Sequence, residues 1–403
     1  MLSTIFMLKT ALLTTALLGL TALAPTACRQ GAPADVAAPK PRTIVNATLL
    51  GTYTPDQLRS RYTGVSSALR LLTRYGIQVY KLTYRTTNTD GKDILASGAV
   101  LIPDTDGPIS LLSMQHGTLG GDDQAPSYYR SSSEVYSFGS VFASTGYIVA
   151  APDYIGYGAS NNVPHPYQHN RSLASASLDM LRATREFLAD KQVNWNKQLY
   201  IAGYSEGGYA TVALQKKIEE EAANEFTLTA SSAGAGAYDE PAFMRHIVNT
   251  KTHGNTDFNR LYLWVLLTYD RIYGLNRPAS YYFKEPYASR VKADGRYAQL
   301  NASFNETLTD SFRKAVADGT DTAFVKAVQD NAIYDWKPVT PTRLYHGDAD
   351  NTVFYFNTQN AYDAMQQRGA TNVALYRLKG RNHYTGIIDF VLGTFEFFGA
   401  KQV

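Results

Sequence analysis

Apolar residues along this chain follow two rhythms, and the places where one replaces the other divide it. Ile77–Arg85 sets Ile77, Val79, Leu82 and Tyr84 in strand fashion, Asn88-Thr-Asp-Gly91 predicts a turn, and Ile94–Ile102 predicts a second strand. The two form a predicted antiparallel hairpin. Further strands are predicted at Ile109–Met114, Tyr147–Ala151, Leu199–Ala202 and Phe226–Ala233, separated by helices at Ser133–Ser144, Leu173–Leu188 and Tyr209–Ala222. Strands apolar at nearly every position need cover on both faces, and strand–helix alternation supplies it by packing helices above and below a parallel sheet. The hairpin would be the antiparallel edge of that sheet. Ahead of it, Leu58, Tyr62, Val65, Leu69 and Leu72 follow Pro55 at helical spacing and predict an opening helix over Asp56–Tyr75.

The alternation stops near Gly236. Phe243, Phe258, Leu261, Tyr262, Trp264, Val265, Leu266 and Tyr269, then Phe304, Leu308, Phe312, Val316, Phe324 and Val328, all fit helical spacing. The simplest reading is a helical insertion over 236–337 that lies across the strand ends as a cap; the alternative is an independent helical domain. After Pro341 the alternation returns, with strands at Thr342–Tyr345 and Val373–Leu378 and helices at Phe356–Arg368 and Ile387–Phe398. The expected organisation is a core in two parts, 49–235 and 338–403, interrupted by the insertion.

Residues 1–27 resemble an export signal: Lys9 precedes the apolar run Thr10–Leu23, which is too short and too close to Pro25 for a membrane span. Cys28, the single cysteine, follows at once and resembles the lipid acceptor of a bacterial lipoprotein, although Pro25 stands where such signals usually carry leucine. Anchoring at an outer or periplasmic membrane surface through Cys28 is one expectation, and cleavage near Ala27 to a secreted protein is the other. Residues 28–48, rich in Ala and Pro, read as a tether. A formal charge of +3 without a basic cluster argues against nucleic acid as a partner. Hydrophobic residues make up 44% of the chain and charged ones 18%, enough to build a large core. The 29 tyrosines suit a cleft that stacks on rings or acyl chains.

Candidate chemistry centres on Leu199-Tyr200-Ile201-Ala202-Gly203-Tyr204-Ser205-Glu206-Gly207-Gly208. A strand that runs through Gly-x-Ser-x-Gly directly into a helix lifts the serine above the sheet edge, and the helix's first N–H groups point to where an oxyanion would form. A serine hydroxyl needs an imidazole to take its proton and a carboxylate to orient that imidazole, and in such sheets both gather after strand ends. His383, in the loop after the last strand, is the expected base. Of the other histidines, His165 and His169 are spaced as metal ligands on a helix would be, but Pro164 and Pro166 argue against a helix. No metal and no organic cofactor is expected. In His346-Gly347-Asp348-Ala349-Asp350, Asp350 lies farther into its loop and is the expected acid, with Asp348 as the alternative. Thr118, in the glycine-rich stretch Gln115–Gly121, and Glu206 are the expected oxyanion donors through their backbone N–H groups. Tyr154, Tyr157 and Tyr204 are expected to line the cleft.

These pieces together resemble the α/β-hydrolase superfamily from about Tyr75 onward. Within it, His116-Gly117-Thr118, Ala151-Pro152-Asp153-Tyr154-x-Gly156-x-Gly158 and Gly203-Tyr204-Ser205-Glu206-Gly207-Gly208 resemble its secretory lipase branch. The resemblance implies an α/β-hydrolase fold, a Ser205–His383–Asp350 triad and Thr118 at the oxyanion; the expected substrate is a small-molecule, lipid or sugar ester, and the tyrosine-lined cleft permits a sugar-linked ester as readily as a lipid. The chain departs from the branch at Phe354, where members often carry proline. Two other readings share the fold: a serine peptidase of the prolyl or dipeptidyl type, and a surface binding protein that has lost catalysis.

Overall fold

In the computed structural model, described over residues 42–401, nine strands form one sheet. The expected export segment 1–27, Cys28 and most of the tether lie outside the described residues. The strands are β1 (Ile44–Tyr53), β2 (Ile77–Thr87), β3 (Asp93–Pro103), β4 (Ile109–Gln115), β5 (Tyr147–Pro152), β6 (Trp195–Tyr204), β7 (Thr227–Gly234), β8 (Thr342–Gly347) and β9 (Val373–Leu378), in the order β1-β2-β3-β5-β4-β6-β7-β8-β9. β1, β2, β3 and β5 pair antiparallel, and every pairing from β5 through β4 to β9 is parallel. This is the expected mostly parallel sheet of an α/β-hydrolase.

Side chains alternate across a strand, so a central strand feeds two cores at once. Leu111, Leu199 and Ile201 pack with Leu178, Leu181 and Leu214 of helices Asn170–Asp190 and Glu206–Glu221. Leu112, Tyr200 and Ala202, one residue out of phase, pack with Phe142, Phe390 and Phe398 on the opposite face, the last two from helix Gly386–Gly399. Each apolar side chain buried this way contributes about 1.5–3 kcal/mol.

Two elements differ from expectation. The tether ends early, because β1 begins at Ile44 and adds a strand to the antiparallel edge. The opening helix is only Pro55–Arg59, started by a capping box in which Thr54 and Gln57 bond each other's backbone; Gly64–Leu72 continues as a 3-10 helix after a break over residues 60–63.

Between β7 and β8, residues 235–341 form a helical insertion. Its helices Glu240–Asn249, Thr256–Ile272 and Thr322–Asp330 are capped by Asp239, Asn255 and Asp321. Aromatic residues such as Phe243, Tyr262, Tyr282, Phe304 and Phe312 fill its core, which also takes in Leu119, Tyr157, Tyr167 and Val353 from loops of the sheet. Among the described residues no helix is long and apolar enough to cross a membrane.

Candidate active site

β6 ends at Tyr204 and the next helix starts at Glu206, so Ser205 has to reverse the chain alone. It does so at φ 59° and ψ −123°, a conformation a residue with a Cβ holds only when its surroundings impose it. Close approach of backbones is what imposes it. A Cβ on Gly203 would stand 2.3 Å from Gly207 O, and one on Gly207 would stand 2.2 Å from Gln115 O. Ser205 N–H donates to Gly234 O at 2.8 Å, which ties the turn to β7.

Two loops bring their side chains to this turn. His383, after β9, lies with Nε2 2.9 Å from Ser205 Oγ and Nδ1 2.6 Å from Asp350 Oδ2. A carboxylate only accepts, so Nδ1 carries the proton and Nε2 presents its lone pair to the serine hydroxyl. Asp350 Oδ1 accepts the N–H groups of Thr352 and Val353 at 2.9 and 3.0 Å. Burial alone would raise the Asp350 carboxyl; bonds from His346 and His383 outweigh it and hold the group well below the usual carboxylate range. His346, fully buried, donates Nε2–H to Val353 O at 2.7 Å with Asp350 Oδ2 at 3.3 Å, and its Nδ1 meets Thr358 Oγ1 at 2.5 Å. Asp348 turns away, accepting from Gly380 N–H at 2.6 Å and Arg377 Nε at 2.9 Å. A hydroxyl, an imidazole in the right tautomer and an ionised carboxylate can together deprotonate the serine.

The loop after β4 faces Ser205 from the other side. Gly117 N–H donates to Glu134 Oε1 at 3.2 Å, while among the described residues no acceptor reaches Thr118 N–H. Glu206, first in its helix, has no carbonyl within that helix to receive its N–H. The Thr118 hydroxyl meets Tyr167 Oη at 2.9 Å. Burial pushes the Glu134 carboxyl up to about 7, against the Gly117 hydrogen bond and aided by the charge of Glu206.

A cleft of about 300 Å³ opens over Ser205 and His383, walled by Thr118, Glu134, Phe258, Trp264, Arg296 and Tyr384. Tyr204 also borders it, although its hydroxyl is committed to His383 O at 2.8 Å. Tyr154 and Tyr157 do not line it. Tyr154, at φ 64°, is fully buried and donates to His116 O at 3.1 Å, and the ring of Tyr157 packs 4.7 Å from that of His165. Both support the loop from behind.

Sequence reasoning missed one further pair. His165 Nε2 lies 2.7 Å from Glu206 Oε1 and Nδ1 lies 2.7 Å from Ile155 O, all buried. The carbonyl can only accept, so Nδ1 is protonated, and the contact with Glu206 holds one more proton on one partner or the other. His169 faces elsewhere, bonding Ser172 Oγ at 2.9 Å. Only the Pro-rich setting of His165 could have been read from sequence, and it does not reveal a partner.

Comparison with known proteins adds the family. The model of the family described as secretory lipase matches residues 134–390, a span holding Ser205, Asp350 and His383. The chain belongs to the secretory lipase family. No curated protein sequence matches it. Among solved structures, the rice cell wall degrading esterase LipA from Xanthomonas oryzae is 26% identical, with a TM-score of 0.72 over 88% of this chain and 96% of that one. Lipase A of Candida antarctica in its closed state is 17% identical, with a TM-score of 0.65 over 89% of this chain and 81% of that one, a likeness of fold. A Legionella pneumophila protein assigned only provisionally as a hydrolase also shares the fold, at 23% identity and a TM-score of 0.79 over 90% of this chain and 98% of that one. This family member is a carboxylic ester hydrolase of the esterase and lipase kind, acting on small-molecule esters.

Proposed function

We propose that the chain is an exported serine hydrolase that cleaves carboxylic esters through an acyl-enzyme on Ser205. His383 takes the proton from Ser205 Oγ as the oxygen bonds the ester carbonyl carbon, and the carbonyl oxygen becomes an oxyanion held by the N–H groups of Thr118 and Glu206. Collapse of this intermediate breaks the bond to the alcohol, which leaves with the proton from His383. A water molecule, deprotonated by His383 in turn, releases the acid and restores Ser205. Asp350 keeps the imidazole in the required tautomer and stabilises its charged form. The observation that carries this reading is the imidazole of His383 within hydrogen-bond reach of both Ser205 Oγ and Asp350.

Ser205→Ala should lower turnover of p-nitrophenyl esters on the order of 10⁵-fold or more while leaving the unfolding curve in place. Retained turnover would remove Ser205 as nucleophile. Residues 49–235 and 338–403 form the hydrolase core in this reading, and the insertion 236–337 is a cap that supplies Phe258, Trp264 and Arg296 to the cleft. Export rests on the apolar run 10–23 and on the family, with Cys28 as lipid acceptor; the intact mass of the protein recovered from membranes would carry the lipid increment if Cys28 is acylated. The peptidase alternative needs an acidic cluster to hold a substrate amine. In the run Glu219-Glu220-Glu221, Glu219 instead receives the N–H groups of Val339 and Thr340 at 2.8 and 3.1 Å. Labelling of Ser205 by a fluorophosphonate separates an enzyme from a binding protein on the same fold.

A further inference from the structure

The alcohol half of the ester has to leave beside His383 Nε2, because that nitrogen returns its proton. Among the described residues, two of the cavities border Ser205. The inner one, about 20 Å³, is walled by Phe243, Leu261, Tyr262 and Val265 and does not reach His383. The open cleft of about 300 Å³ does reach it, so the alcohol half lies there.

Two cations border that cleft, and they differ in how they are neutralised. Arg260 lies 3.5 Å from Asp257. Arg296 has no carboxylate within ion-pair distance among the described residues, and its guanidinium donates one hydrogen bond, to the Tyr297 hydroxyl. Its carbon sits 3.8 Å from the Trp264 ring centroid, and Trp264 is stacked on Tyr167 at 4.3 Å and 11°. Tyr167 in turn bonds Thr118 of the loop facing Ser205. A ring quadrupole steadies a guanidinium but leaves its charge uncompensated. The planar fork keeps most of its five N–H donors free for an acceptor that enters the cleft.

We infer that Arg296 is a specificity residue that binds an anionic group, a carboxylate or a phosphate, on the alcohol half of the ester. The inference rests on the hydrolytic reading of Ser205. Tyr384 and Tyr297, 63% and 52% exposed beside the site, add apolar ring surface against which the body of such an alcohol can lie.

The test compares 3-acetoxybenzoate with its neutral isostere 3-acetoxybenzamide, and phenyl acetate carrying a 3-phosphate as the second anion. The wild-type chain should favour one or both anions in kcat/KM, mainly through KM, and whichever anion is favoured identifies the group. In Arg296→Gln the anion-to-neutral ratio should fall about tenfold. Arg296→Lys, which keeps the charge and loses the fork, should fall between the two. Raising salt from low to half-molar should shrink the wild-type ratio and leave that of Arg296→Gln flat. A wild-type ratio that neither salt nor the Lys and Gln variants change would overturn the inference, as would equal slowing of both esters, which marks a packing role on Trp264. In either case fluorophosphonate labelling and hydrolysis of the neutral ester still stand for the hydrolytic reading. Loss of both in the wild type would sink that reading and this inference with it.

Discussion

Two buried histidine–carboxylate pairs lie on either side of the same serine turn. His383 and Asp350 approach to 2.6 Å, and His165 and Glu206 to 2.7 Å. What separates them is the partner of the remaining ring nitrogen. For His383 it is the Ser205 hydroxyl at 2.9 Å, a group that can give up a proton; for His165 it is the carbonyl of Ile155 at 2.7 Å, which cannot. Support for the carboxylates differs as well. Asp350 is fixed by two backbone N–H groups and by His346, whereas Glu206 Oε2 has no partner among the described residues. An imidazole paired with a carboxylate thus serves, on the proposed mechanism, as a proton relay in one place and as a clasp in the other. The clasp joins the residue after Ser205 to the loop that carries Tyr154 and Tyr157.

Mutation of each imidazole is the direct way to break this contrast. His383→Ala should cost on the order of 10⁵-fold in kcat on a neutral ester, with little change in urea denaturation. For His165→Phe the expected damage is to stability, about 3–5 kcal/mol, because Glu206 is left buried without its partner. Turnover per folded site, counted by fluorophosphonate titration, should stay within about tenfold of wild type. If His165→Phe abolished turnover per site as His383→Ala does, the distinction between relay and clasp would fail. The smallest effect is expected at Glu134, which sharpens the comparison by adding a titrating group near both pairs. Its folded-state carboxyl titrates at about 7, above the ordinary range, so between that range and 7 the folded chain holds a proton the unfolded chain has released. Stability should then fall as pH rises through this window, and Glu134→Gln should flatten the slope in denaturation series from pH 5 to pH 8. An unchanged slope would place the proton elsewhere.

How much of this was legible in the sequence depended on whether a residue's role is set by backbone or by neighbours. The turn at Ser205 was readable because Gly203 and Gly207 occupy the positions where a Cβ would collide with backbone. The parallel strands were readable because a strand buried on both faces is largely apolar, as β5 is throughout and as Leu111, Leu112 and Met114 make β4 despite its two serines. β1 was not, since its residues are mostly exposed and it sits at the sheet edge beside β2, which leaves no alternation to detect. Asp350 could be preferred over Asp348 by its place in the loop, but His346 as a second donor to it could not, because the contact depends on how the loop folds back on the strand. Tyr154 and Tyr157 follow a strand end as cleft residues do. The positive φ of Tyr154 turns its ring under the loop instead, a backbone state that residues of its type rarely take and that no pattern announces.

Tyr204 carries a mechanical consequence. Its hydroxyl holds the carbonyl of His383 at 2.8 Å, and it sits one peptide bond before Ser205; Gly386 leaves room for the ring, since a Cβ there would stand 2.9 Å from that hydroxyl. The loop bearing the imidazole is thus moored to the strand bearing the serine as well as to its own. That bond works against any displacement that would draw the serine oxygen and the imidazole nitrogen apart. On the proposed mechanism, the proton transfer between the two would gain from that restraint.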